Sequence, residues 1–243
     1  MSANHAAFNL IFRFVENYIS PVAGRISSQR HVMAIRDGFI SAMPFMIVGS
    51  FLLVFAYPPF SPDTTWGFAR AWLDLAKEFE GRILTPFDMT MGIMSIYICA
   101  AIAYNLGKHY EKTNQLDPFM CAMLSIMAFL LVAAPKTNGN LPVDSLGGTG
   151  IFTAILVAVY CVEMMRFLKA HNIGIRLPDQ VPPMIKNSFD LLIPVLVVVL
   201  TLYPLSLLIQ HHFDMLIPQA IMAIFKPLVS AADSLPAILL AVL

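Results

Sequence analysis

The sequence predicts an all-α, polytopic transmembrane helix bundle, with about five complete spans, the start of a sixth, and an N-terminal amphipathic helix. Three observations carry this. The 243 residues are 58% apolar and 12% charged, with a mean hydropathy of +0.73, whereas soluble domains carry about 25% charge. Apolar runs of about 16–19 residues recur along the chain, near the ~17–25 that cross a hydrocarbon core. Lys and Arg cluster in alternate connecting segments, as they do in membrane proteins whose positive loops stay in the cytoplasm.

Taken in order, residues 5–19 place Phe8, Ile11, Phe12, Val15 and Ile19 at helical spacing. This predicts an amphipathic helix that either lies on the membrane surface or packs against the other segments. Pro21-Val22-Ala23-Gly24 is expected to end it. The N-terminus shows no cleavage-type signal pattern and is expected to be retained. Phe39–Tyr57 is the first span. Pro44 within it removes one helical amide and predicts a kink. Residues 58–88 are charged, with Trp66 and Trp72 at the edge. They predict an external loop whose middle, Trp66 to Phe79, forms a short surface helix with its tryptophans at headgroup level. Thr90–Leu106, Phe119–Ala134, Gly147–Met165 and Leu191–Ile209 are the next four spans, and a sixth begins at Leu235.

Orientation follows from the basic residues. Segments 1–38, 107–118 and 166–190 hold ten Lys/Arg, whereas 58–88, 135–146 and 210–234 hold five. The bias predicts a cytoplasmic N-terminus. Fifteen Lys/Arg balance fifteen Asp/Glu, so the basic excess a nucleic-acid partner requires is missing.

Few residues suggest chemistry. Glu163 is the one carboxylate inside an expected span, where an unpaired charge is costly. It either lines a polar path or, as its spacing to Arg166 favours, pairs at i, i+3 near the end of its helix. Cys99, Ala103 and Gly107 form a face of small side chains, suited to close packing within the chain or to a subunit interface. Gly147, Gly148 and Gly150 lack a Walker lysine and read as a flexible lead-in. His211 and His212 are adjacent, not i, i+4, and read as interfacial. Cys99, Cys121 and Cys161 sit in apolar runs with no metal spacing. No metal site, cofactor or catalytic set is expected.

The most specific stretch is Arg176–Pro194, RLPDQVPPMIKNSFDLLIP. Pro178, Pro182 and Pro183 hold the chain extended before a helix enters the apolar run. By itself this is a stiff connector. Its Leu-Pro-x-x-Val-Pro, Ser188-Phe189 and Leu192-Ile193-Pro194 elements, with Gly38-Phe39-Ile40, Met43-Pro44 and Met91-Gly92-Ile93-Met94-Ser95, resemble the membrane-embedded IIC component of sugar phosphotransferase systems, lactose/cellobiose type. The resemblance implies an inner-membrane permease of about ten spans, usually a homodimer, that translocates a β-linked disaccharide of the cellobiose, chitobiose or lactose class. It also implies that cytoplasmic IIB, charged by IIA, performs the phosphoryl transfer, so that IIC needs no phospho-residue or cofactor.

Under this resemblance residues 1–38 are a cytoplasmic amphipathic segment. Residues 39–243 are the N-terminal scaffold half, without the Gly-Ile-His-Gly and Asn-Glu-Pro elements of the family's second half. The chain alone is then expected not to transport, and a truncated membrane scaffold protein is the alternative. Asn187 and Ser188 are the candidate sugar-facing residues, although capping or packing is the commoner use of such positions.

Overall fold

The computed structural model describes residues 20–135, 139–175, 182, 185 and 189–232. Within them the chain is built from helices: α1 Ser20–Ser27, α2 Arg30–Ala56, α3 Gly67–Asp88, α4 Met94–Asn114, α5 Pro118–Ala133, α6 Ile151–Ala170, α7 Leu192–Phe213 and α8 Ile217–Ala232. A single 3-10 turn, Gly148–Gly150, leads into α6.

Helix α4 is the central pillar, packed against α2, α5 and α6. Its buried positions, Ser95, Ile98, Cys99, Ile102, Ala103, Leu106, Gly107 and Tyr110, follow helical spacing. The buried residues of α2 are all small, Ala34, Gly38, Ala42, Gly49 and Ala56. A β-carbon at Gly38 would lie 2.9 Å from the Ile102 amide nitrogen and 3.0 Å from its α-carbon, so the two backbones touch there. Gly107 meets α5 in the same way, against Cys121 Sγ and the Pro118 α-carbon. The Cys99–Ala103–Gly107 face is therefore used inside the chain.

Helix boundaries have local causes. The Asp117 carboxylate accepts from the amides of Phe119, at 2.9 Å, and Met120, at 3.3 Å, and Pro118 occupies the first turn of α5. These are the donors that an N-terminus leaves unpaired. The Leu146 carbonyl accepts from the Ser95 amide at 3.0 Å, and the Gly147 carbonyl accepts from the Ser95 hydroxyl. The loop before α6 thus caps α4. Gln115 ends α4 in the left-handed region at φ 54°, and Asp214 ends α7 at φ 50°.

Five apolar runs predicted as spans correspond to α2, α4, α5, α6 and α7, with shifted ends. Three segments, Arg30–Ala56, Gly148–Ala170 and Leu192–Phe213, are long and apolar enough to cross a membrane by length and composition. Pro118–Ala133 is apolar but has 16 residues.

Several expectations need correction. Pro21–Gly24, read as a helix terminator, lies inside α1, with Pro21 in its first turn, where a missing donor costs little. The second run begins as turns over 89–93, and α4 then continues to Asn114. The surface helix is not confined to 66–79; α3 extends to Asp88 and packs on α2, with Ala69 and Ala76 buried. The stretch 217–232, read as an external connection, is α8, whose start is tied by the Gln219 side chain accepting from the Leu216 amide at 3.0 Å. Nor is the glycine lead-in loose, because Gly150 is buried against the Ser145 carbonyl and the Phe129 ring. The amphipathic stretch 5–19 and the start at Leu235 lie outside the described residues.

Replacing Gly38 by Val forces α2 off α4. Overpacking of this kind costs about 1–3 kcal/mol, so thermal unfolding in detergent is expected at a lower temperature for Gly38→Val, whereas Gly81→Val, where nothing lies within 4 Å, loses only helix propensity.

Candidate functional site

Polar side chains gather at one end of the bundle, where α2 begins and α4 and α6 finish. Glu163 on α6 is the hub. Its Oε1 accepts from the Tyr110 hydroxyl at 2.8 Å and lies 3.0 Å from His31 Nε2, and its Oε2 lies 3.0 Å from Arg166 Nε. Arg166 Nη1 also donates to the Tyr110 hydroxyl at 2.9 Å. The i, i+3 pair read from the sequence forms, and two further partners join it from separate helices.

The setting is half-buried. Side-chain exposure is 28% for Glu163, 33% for His31 and 40% for Arg166, while Tyr110 is almost fully enclosed at 2%. The Arg166 guanidinium carbon lies 4.8 Å from the Tyr110 ring centroid and that of Arg30 lies 5.6 Å from it. A carboxylate beside hydrocarbon is tolerable because each oxygen is occupied by a donor. Chemically the cluster fastens three helices. His31 and Tyr110 carry no spacing signal toward Glu163, being 132 and 53 residues distant; the lone acidic residue in a span was the only clue.

A second link lies beside it. Lys169 Nζ donates to the Gln115 carbonyl at 2.6 Å and stands 3.4 Å from Asp190 Oδ2, joining α6 to the end of α4 and the approach to α7. These residues border an open cleft of about 510 Å³, where Thr113, Asn114 and Asn172 supply further hydrogen-bonding groups. Pro194 closes its wall, so the cleft abuts the described end of the proline-rich phrase. Asn187 and Ser188 lie outside the described residues. His211 and His212 are exposed at the end of α7, with ring centroids 5.3 Å apart. Among the described residues no three His, Cys, Asp or Glu side chains converge as metal ligands.

The profile of the family described as "Phosphotransferase system, EIIC" matches residues 36–243. The chain belongs to that family. It is 33% identical over 214 residues to the cellobiose-specific EIIC component of Geobacillus stearothermophilus, covering 82% of this chain and 45% of that one. The lactose-specific EIICB component of Streptococcus mutans is 34% identical over 219 residues, 88% of this chain and 37% of the relative. Among solved structures, the transporter ChbC, the IIC component from the N,N'-diacetylchitobiose-specific phosphotransferase system, superimposes with a TM-score of 0.74 at 31% identity. That match covers 90% of this chain and 52% of ChbC. The chain thus spans less than half the length of these two curated relatives, and about half of ChbC. It is a helical membrane protein of the EIIC family, as the residues of the proline-rich phrase implied.

Loss of the Glu163 hub should loosen the joint of α2, α4 and α6. Each hydrogen bond to a charged group contributes about 1.5–3 kcal/mol when buried, less here because the carboxylate is partly solvated. Glu163→Ala is expected to lower the unfolding temperature in detergent more than Tyr110→Phe, and Tyr110→Phe to lower it measurably. A wild-type value for Tyr110→Phe would mean that the carboxylate merely reaches solvent.

Proposed function

We propose that this chain is the scaffold half of a sugar permease of the bacterial inner membrane, with five complete spans and a cytoplasmic N-terminus. The whole carrier translocates a β-linked disaccharide of the cellobiose, chitobiose or lactose class and works as a homodimer. It delivers the sugar to cytoplasmic IIB, which phosphorylates it with phosphate received from IIA. The observation that supports this is the family match over residues 36–243, joined to relatives named for cellobiose, lactose and diacetylchitobiose. The polar end of the bundle agrees with the ten-to-five charge bias, because Arg30, Arg166 and Lys169 lie there.

In this reading residues 39–243 hold and orient a sugar-binding half. A disaccharide carries several hydroxyls, and each one left unpaired in an interior costs roughly 1–3 kcal/mol. Among the described residues Glu163 is already paired with His31 and Arg166, and Lys169 with Asp190. The Thr113–Asn172 cleft and the phrase containing Asn187 and Ser188 form the cytoplasmic approach to the sugar path. A non-transporting membrane scaffold is the second reading, favoured by the same internal pairing of the polar groups.

Three measurements test the proposal. A Lys186→Cys protein should react with a membrane-impermeant thiol reagent only after cells are opened; labelling of intact cells would overturn the orientation. The 243-residue chain titrated with cellobiose, chitobiose and lactose by calorimetry should release no binding heat. In a full-length relative carrying this half, Ala at the positions of Asn187 and Ser188 should reduce uptake at equal membrane abundance. Unchanged uptake would make the segment a connector, and binding by the 243-residue chain would move the sugar site into this half.

A further inference from the structure

Helix α6 leaves one lengthwise stripe uncovered. Leu156, Tyr160, Met164, Phe167 and His171 recur every three or four residues, and Leu156 and Phe167 are 48% and 52% exposed. Along this stripe runs a groove of about 400 Å³, walled by Tyr160, Met164, Phe167 and Ala170. Its polarity is graded. The Tyr160 end is apolar apart from a hydroxyl engaged with Thr201 at 2.5 Å. The other end reaches Arg166 and His171. From Tyr160 to His171 the helix rises about 16 Å, roughly the hydrocarbon depth of one leaflet.

The charged end carries surplus positive charge. Glu163 is the one carboxylate lining the groove, and it is shared between Arg166 and His31. Arg30, exposed and within 5.6 Å of the Tyr110 ring that Arg166 also covers, has no acidic partner among the described residues. Arg166, which lines the groove, and Arg30 beside it thus both lie against the Tyr110 ring, whose hydroxyl donates to the one carboxylate, Glu163. His171 closes the end with its ring tilted 40° against that of Phe167, centroids 4.2 Å apart, while its Nδ1 donates to the Phe167 carbonyl at 2.8 Å.

We propose that this groove holds one anionic phospholipid, its phosphate at Arg166 and Arg30 and an acyl chain running from there along Phe167, Met164 and Tyr160. The chemistry selects it. Guanidinium groups bind phosphate oxygens bidentately, and basic pockets between spanning helices suit anionic headgroups. A soluble anion would use the cationic end and leave the apolar wall wet, whereas a neutral lipid would use the wall and leave the charge uncompensated. A bound lipid would tie α2 to α6 across the same junction that Glu163 fastens from inside.

Purified chain in a neutral detergent, examined by native mass spectrometry, is titrated with phosphatidylglycerol, phosphatidylcholine and inorganic phosphate. Phosphatidylglycerol is expected to bind at least about fivefold more tightly than phosphatidylcholine, since each basic group near a headgroup contributes about that factor. Arg30→Gln, which leaves the Glu163 pairs intact, should remove about fivefold of the phosphatidylglycerol affinity and none of the phosphatidylcholine affinity. Met164→Trp, which fills the apolar wall away from the charged end, should weaken both lipids. Equal binding of the two lipids, or phosphatidylglycerol binding unaltered in both variants, would overturn the site. Displacement of the lipid by equimolar inorganic phosphate would show a free-anion site and overturn the lipid assignment.

Discussion

Helices in a bilayer gain little from hiding apolar surface from one another, because lipid is as apolar as their own side chains. What holds them is close packing, and close packing needs small residues at the crossing. The contact of Gly38 with the Ile102 backbone is that crossing here, extended by Ala34 and Ala42 along α2 and answered by Gly107 against α5. Fixing α2, α5 and α6 around α4 determines where every other group lies. His31 reaches Glu163 only because α2 approaches so closely that its first turn stands beside the ends of α4 and α6.

The polar cluster then follows from a conflict between charge and solvent. Glu163 sits 13 residues into a 20-residue apolar helix, and its two oxygens are shared among Tyr110, His31 and Arg166. Such a hub adds specificity to an interface that small residues alone define weakly, since a slipped register would strand the carboxylate. Lys169 repeats the device one turn later, reaching the Gln115 carbonyl and Asp190. Together they tie the basic end of the bundle through charged side chains.

The opposite end is built differently. Helix α3 packs on α2 and buries only Ala69 and Ala76. Its aromatic residues form a patch in which Trp72 donates to the Phe55 carbonyl at 3.2 Å and its ring lies near those of Phe55, Phe60 and Phe68. Amphipathic rings of this kind settle at the membrane interface. Order at this end therefore depends on the bilayer as much as on the chain.

The sequence by itself determined the helical class, the five apolar runs, the Glu163–Arg166 pair and, through the proline-rich phrase, the family. These are local properties: run length, i, i+3 spacing and a contiguous string of residues. It misplaced the starts and ends of helices: Ser95 is capped by a carbonyl 51 residues further along, and α3, which packs on α2, runs on to Asp88. It missed α8, whose charge-poor stretch contains two prolines, Pro218 and Pro227, that interrupt the apolar pattern. Only the tertiary structure decided that His31 and Tyr110 share a carboxylate with Glu163, and that α6 keeps one graded stripe open. Such groupings depend on which helices touch and at what height, and no spacing along a single helix encodes that.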